Sequence, residues 1–260
     1  MTEKILLSIG NSFSQDAHRY LHDMAALRGV SLRCVNLVIG GCSLERHFRN
    51  MVSGLPAYSL EINGCPTGFS VPLEQALTAN RYDFVTLQQA SHFSFDEKTY
   101  FPYLRHLCDR VRYVQPQAEL ALQCTWAYEE DSDRLHNMGF AHEAEMYAAV
   151  CRAYRAAAEQ IGADTVIPSG PAMHLLAQSG ITPHRDTFHA HLGYGRYLLS
   201  LVWLGMLCGL SPAEDAFDRF DTAVTPKQAE AARAAAEKAV SYAQAQKAAG
   251  KPFDFFSLST

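Results

Sequence analysis

The chain has no surplus of basic charge: 22 Lys and Arg stand against 27 Asp and Glu, a formal net charge of −5. That balance argues against nucleic acid as a partner and against a polybasic membrane-surface patch. No CxxC pair occurs. The seven cysteines (Cys34, Cys42, Cys65, Cys108, Cys124, Cys151 and Cys208) are odd in number, and most lie inside apolar runs. A free thiol there behaves as a small hydrophobe, so neither a disulfide framework nor a zinc knuckle is expected, and a reducing compartment is. No apolar run approaches the roughly 20 residues of a membrane span. The longest, "LLSLVWLGMLCGL" at 198–210, reads as a buried helix. Lys4 is followed by too few apolar residues for a signal peptide. The expectation is a cytoplasmic protein without membrane contact. No internal repeat, low-complexity tract or linker interrupts it.

What is present is enough apolar material for one large core: 260 residues, 48% of them hydrophobic. One domain over 1–260 is the expectation. Strand signals recur at 4–9, 31–39, 82–89, 118–126 and in "DTVIPSG", with helical spacing between them. One helix is expected over 14–28, capped by Ser14, and others over 96–114, 139–162, 170–178 and 192–209. Strands separated by helices predict a parallel sheet covered on both faces, here a three-layer α/β/α fold with five strands. Residues 55–71, with the hairpin signal Asn63-Gly64, read as an excursion whose role as lid or dimer contact is open. Thr225, Pro226 and Gln228 form a capping-box pattern opening a last helix over about 225–249, which packs on its own domain or on a partner.

In such sheets ligands bind beyond the carboxyl ends of the strands. The first strand delivers Gly10-Asn11-Ser12-Phe13-Ser14 to that rim, the second Gly40-Gly41, the third Gln88-Gln89-Ala90-Ser91. Downstream lies "HRDTFHAHLGYGRYL", with Asp186 three residues before His189. A serine hydroxyl needs a base, and the base needs a carboxylate to fix its tautomer. Asp186 and His189 are close enough to sit on one turn facing Ser12. Backbone N–H groups at Ser12 and Gly41, with a side-chain amide, would stabilise an oxyanion.

The set Gly10-Asn11-Ser12-Phe13-Ser14, Gly41 and Asp186-x-x-His189 resembles the SGNH (GDSL-like) hydrolase superfamily. More narrowly, "IGNSFSQDA", "IGGCSLERH", "YDFVTLQQAS" and "DTFHAHLGYGRYL" resemble the DUF4886 proteins, over about residues 5 to 210. The resemblance implies a flavodoxin-like fold, Ser12 as nucleophile, His189 as general base, Asp186 as its orienter, and Ser12 and Gly41 N–H in the oxyanion hole. It departs from the superfamily twice. Asn11 stands where aspartate is usual, and "LQQAS" replaces the Gly-x-Asn-Asp block, so Gln88 or Gln89 would have to offer the amide donor. Asn11, Trp126 and Phe188 are the expected substrate contacts; Trp126, Tyr128 and Phe188 make an aromatic rim suited to a sugar face or short acyl chain, and equally to packing. The substrate class implied is a small-molecule or carbohydrate ester, and no cofactor is expected.

Competing readings of the same residues remain. A near match to the nucleophile elbow of α/β-hydrolases lacks its last glycine and sits on the first strand. His184, His189, His191 and Asp186 offer ligands for a zinc-like ion. A fold that binds but turns over poorly, with "LQQAS" as the lesion, is the third. His18 and His22, spaced i and i+4, read as surface residues.

Overall fold

The computed structural model of the protein describes residues 2–258. Strand β1 (Lys4–Gly10) leads through α1 (Ser12–His18) and α2 (Leu21–Leu27) to β2 (Leu32–Val38). Then come α3 (Leu44–Ser53), β3 (Tyr58–Ile62), β4 (Cys65–Val71), α4 (Leu73–Thr78) and β5 (Phe84–Leu87). The second half holds α5 (Tyr103–Val114), β6 (Glu119–Gln123), α6 (Asp133–Asn137), α7 (Glu143–Ile161) and β7 (Thr165–Ile167). Helices α8 (Ser169–Gln178), α9 (Tyr194–Cys208) and α10 (Pro226–Ala248) complete the order.

The sheet has seven strands in the order β4-β3-β2-β1-β5-β6-β7. Strands β2, β1, β5, β6 and β7 are the five expected parallel ones. Their continuous apolar burial is what a sheet covered on both faces demands. The count of five is corrected by the 55–71 segment, which is no excursion: β3 pairs antiparallel with β2, and β4 closes the edge. Asn63 and Gly64 both take positive φ, 53° and 74°, the twist a two-residue hairpin needs. Any side chain on Gly64 would meet the backbone oxygens of His18 and Arg19. Pro66 sits on β4, where a missing N–H costs no ladder bond.

Helices α1, α2, α8, α9 and α10 pack together on one face, and α3, α4, α5 and α7 on the other. The apolar run expected to be a buried helix is α9, almost wholly enclosed between the sheet and α10. The capping box is formed: Gln228 N–H donates to Thr225 Oγ1 at 3.3 Å, and Thr225 N–H to Gln228 Oε1 at 2.9 Å. Helix α10 buries its alanines against α8 and α9, so it packs on its own chain.

Three local expectations are corrected. The helix expected over 14–28 is two, broken at Arg19-Tyr20. It starts at Ser12, and its cap is Asn11, whose Oδ1 accepts from Phe13 N–H at 3.0 Å. Ser14 instead donates to Asn36 Oδ1 at 2.9 Å, inside the core. His18 is no surface residue: it is fully buried, 2.7 Å from Ser8 Oγ, and burial pushes its pKa down to about 3. His22 is half-buried and reaches the Leu32 carbonyl.

Candidate active site

Strand order reverses direction at β1, whose parallel neighbours are β2 and β5. A crevice opens beyond the carboxyl ends at such a switch point, and there Ser12 sits, as the first residue of α1. Its backbone N–H, being in the first turn, has no acceptor within the helix. His189 Nε2 lies 2.8 Å from Ser12 Oγ, and His189 Nδ1 lies 2.8 Å from Asp186 Oδ2. A carboxylate only accepts, so Nδ1 carries the proton. Nε2 is left as the acceptor, and the Ser12 hydroxyl donates to it. Asp186 Oδ1 also accepts from His189 N–H at 2.8 Å. Partial burial pushes Asp186 up, but these two hydrogen bonds, with Arg185 nearby, outweigh it and hold the carboxyl below its usual range. Between Asp186 and His189, Thr187 has φ of 72°. A β-branched residue in the left-handed region is strained, and here the strain lies in the turn that joins Asp186 to His189.

The turn is fastened to α1 from two sides. Asp16, fully buried one turn beyond Ser12, accepts from both Arg185 and Arg196 at 2.9 Å and from Ala190 N–H at 3.1 Å. Arg196 and Arg19 then share Asp221. On the other side, Phe13 stacks face to face on Trp126, with centroids 3.8 Å apart. The Trp126 indole N–H donates to the Phe188 carbonyl at 2.7 Å. Ser12 and His189 thus share supports that sequence spacing could not reveal.

Several residues expected at the pocket are placed elsewhere. Trp126 is 1% exposed; it holds the Phe188–His189 backbone and makes no wall for a ligand. Asn11 lies at the pocket floor, but its polar atoms are taken by Phe13 N–H, Gln88 Nε2 and the Cys42 carbonyl. Its amide therefore ties the loops after β1, β2 and β5 together and offers a ligand little. Gln88 is spent on Asn11. Gln89 Oε1 accepts from Leu44 and Ala90 N–H, at 3.0 and 2.9 Å, while its Nε2 donates to Thr99. Neither glutamine amide points into the pocket. Gly41 and Phe188 do line it. Gly41 has φ of 59°, a conformation that keeps the backbone exposed at the rim without a strained side chain.

The metal reading finds no support in the donor geometry. His191 Nδ1 accepts from Gly193 N–H and its ring stacks on Tyr194, while His184 bonds the Ala127 carbonyl. Among the described residues, no three His, Cys, Asp or Glu side chains come together as an ion would need. Nor is any described helix long and apolar enough to cross a membrane.

Residues 4–239 match the domain of unknown function DUF4886. The chain belongs to the DUF4886 family. A DUF4886 protein from Bacteroides uniformis, solved by crystallography, is 32% identical with a TM-score of 0.87, covering 93% of this chain and 96% of that one. A candidate SGNH hydrolase from Slackia heliotrinireducens is 20% identical, TM-score 0.57, over 79% of this chain and all of that one. An acetylxylan esterase from Geobacillus stearothermophilus is 14% identical, TM-score 0.52, over 79% and 94%. At those identities the last two show the fold, which is that of the SGNH hydrolases. No curated protein matches the chain.

In this DUF4886 protein Ser12 and His189 line a cavity of about 360 Å³. Gly40, Gly41, Ser91, His92 and Tyr128 line it, with Phe188 against His189 and Arg134 against Phe188. A larger cleft, about 960 Å³, lies by Ile5 and Asp83 at the amino ends of the strands, away from the triad. Arg134 and His92 were not expected at the site. Arg134 rides on α6, a five-residue helix whose one sequence signal is the Ser132 cap.

Proposed function

We propose that this chain is a serine hydrolase that cleaves short-chain, acetyl-like esters through an acyl-Ser12 intermediate. The observation that carries the reading is the hydrogen-bonded row Asp186–His189–Ser12, with both contacts at 2.8 Å. Ser12 Oγ attacks the ester carbonyl while His189 Nε2 takes its proton. Asp186 holds the imidazole in the Nδ1–H tautomer and stabilises the imidazolium that forms. The oxyanion lies against the backbone N–H groups of Ser12 and Gly41. The alcohol leaves with the proton from Nε2. Water, deprotonated by the same nitrogen, then releases the acid and restores Ser12. A cavity near the lower end of the usual range for ligand sites favours a short acyl group. The acetylxylan esterase that shares the fold makes an acetylated carbohydrate a reasonable first class to test.

A second reading, an SGNH-fold ligand binder with feeble turnover, is favoured by one observation: both glutamine amides are turned inward. Loss of one oxyanion donor costs about 2.7–4 kcal/mol of transition-state stabilisation. Hydrolysis of 4-nitrophenyl acetate, butyrate and octanoate by wild type and Ser12→Ala separates the readings, with a fluorophosphonate mass label alongside. Acetate turnover that vanishes in Ser12→Ala, with the label on Ser12, is the expected result. Equal rates for the two proteins and an unlabelled Ser12 would overturn the hydrolase.

A further inference from the structure

The wall of the cavity carries no Asp or Glu, in a chain whose net charge is −5. It carries instead the Arg134 guanidinium and the imidazoles of His92 and His189. Arg134 makes no ion pair among the described residues; it stands against two aromatic rings and hydrogen-bonds the Tyr128 side chain. Its Cζ stands 3.9 Å from the centroid of Phe188 and 5.7 Å from that of Tyr128. Asp186, the acid of the site, is committed to His189 and lies 3.8 Å from Arg185. His92 stacks on Phe93 with centroids 4.3 Å apart. Its pKa is lowered, first by burial and then by Arg134, so at neutral pH the ring is uncharged and retains an N–H to donate. A guanidinium stacked on a ring presents its edge N–H groups, and those not engaged by Tyr128 fit an oxyanion in a fork.

Position decides which half of the substrate would meet this charge. The rings of Phe188 and His189 lie 3.8 Å apart, so His189, Phe188 and Arg134 form one row along the same wall. The leaving oxygen must approach His189 Nε2 to receive its proton. In the proposed mechanism the carbonyl oxygen is held by the N–H groups of Ser12 and Gly41. A group that extends from the leaving oxygen along Phe188 therefore reaches Arg134.

We propose that the alcohol half of the substrate bears an anionic oxyanion group, a carboxylate or phosphate, which Arg134 and His92 bind at the rim of the pocket. The proposal rests on the serine-hydrolase reading of the triad and names its substrate class. Arg134 acts on binding, so its effect belongs in KM more than in kcat.

Matched acetyl esters test it: 4-acetoxybenzoate, its neutral methyl ester, and 4-acetoxyphenyl phosphate. Wild type is expected to prefer at least one anionic ester over the methyl ester by about tenfold in kcat/KM, the modest gain of an ion pair at an exposed rim. Which anion wins separates carboxylate from phosphate. Arg134→Gln should collapse the preference toward one, and Arg134→Lys should restore part of it. An equal fall on charged and neutral esters would mean that Arg134 serves the reacting oxyanion, and the proposal would be wrong. Equal rates on all three esters in wild type would also overturn it, while turnover of the methyl ester would leave the hydrolase reading standing. No turnover of any ester overturns both. Thermal unfolding of each variant separates a misfolded Arg134→Gln from a real loss; if it misfolds, the wild-type preference and its screening by 0.5 M salt decide the matter.

Discussion

Asp16 is the residue whose replacement best tests how the site is held. It lies on α1 one turn after Ser12, and its carboxylate binds Arg185, Arg196 and Ala190 N–H. Arg185 and Ala190 flank the Asp186–His189 turn, so Asp16 fixes the proposed base and nucleophile in one frame. Asp16→Asn keeps the shape, removes the charge, and takes the buried carboxylate from two guanidinium groups, leaving Arg196 with Asp221 and Arg185 with only the longer contact to Asp186. Removing one partner of a buried ion pair costs about 3–5 kcal/mol. Here the Arg185 and Arg196 side chains are 26% and 15% exposed, so water recovers part of that. We expect a loss of about 2–3 kcal/mol, read as a drop in Tm of roughly 5–10 °C. The kinetic effect is separate. A displacement of about 1 Å between reacting groups can cost about a hundredfold, so kcat for 4-nitrophenyl acetate should fall ten- to a hundredfold while KM changes little. Both are measured on the same preparation, below the variant's unfolding onset. A destabilised Asp16→Asn with wild-type kcat would refute the positioning role and leave Asp16 as a structural ion-pair residue only.

Two further outcomes follow from the buried polar groups. Gln89→Ala strips the acceptor from Leu44 and Ala90 N–H and the donor from Thr99, so it should cost about 2–4 kcal/mol of stability yet leave kcat within a few-fold of wild type; a hundredfold loss of kcat in a stable variant would put Gln89 back in the oxyanion hole. His18, His47 and His184 are held at pKa values of about 3, 3 and 4, in each case by burial above all. Unfolded, each binds a proton near pH 6.5, so the unfolded state binds more protons below that pH and stability falls with acid. The slope should reach up to about 4 kcal/mol per pH unit between pH 6 and 4; urea midpoints that stay flat across that window would show that these rings are not buried neutral.

The five parallel strands were legible because a doubly covered sheet leaves an unbroken apolar run, as in "ILLSIG", that stops at a rim residue. Helix α10 was legible because Thr225, Pro226 and Gln228 are a local device that works whatever lies around it. Ser12, Asp186 and His189, which the structure joins by hydrogen bonds, were legible as a candidate set through their types and order. What was hidden depends on direction and burial. Gln88 and Gln89 carry the same amide whether it faces the pocket or the core, and nothing in "LQQAS" says that Asn11 and Thr99 have claimed them. Asn63-Gly64 announces a hairpin but not that it pairs with β2. Arg134 follows "EEDSD", which reads as a solvated polar stretch, and a five-residue helix is too short to show a period. Asp16 and His18 look like surface positions of a polar helix until the arginines and Ser8 are found beneath them.

Helix α1 explains why so much polarity is buried under one corner. Seven residues are too few to make a stable helix alone, and its first residue is the proposed nucleophile. Its placement must come from contacts. Nearly every residue supplies one: Asn11 to the loops after β2 and β5, Phe13 to Trp126, Ser14 to Asn36, Gln15 to Glu61, Asp16 to the two arginines, His18 to Ser8. An apolar underside could slide or rotate at little cost, since dispersion contacts are many and individually weak. Directional hydrogen bonds in a low-dielectric interior have one good arrangement and large penalties elsewhere. The polar core beneath α1, where His18 is buried with its pKa pushed down, therefore trades some stability for a fixed Ser12. The same helix carries Asp16 to the histidine turn, so the distance that chemistry needs, Ser12 Oγ to His189 Nε2, is set by one short element and the groups that pin it.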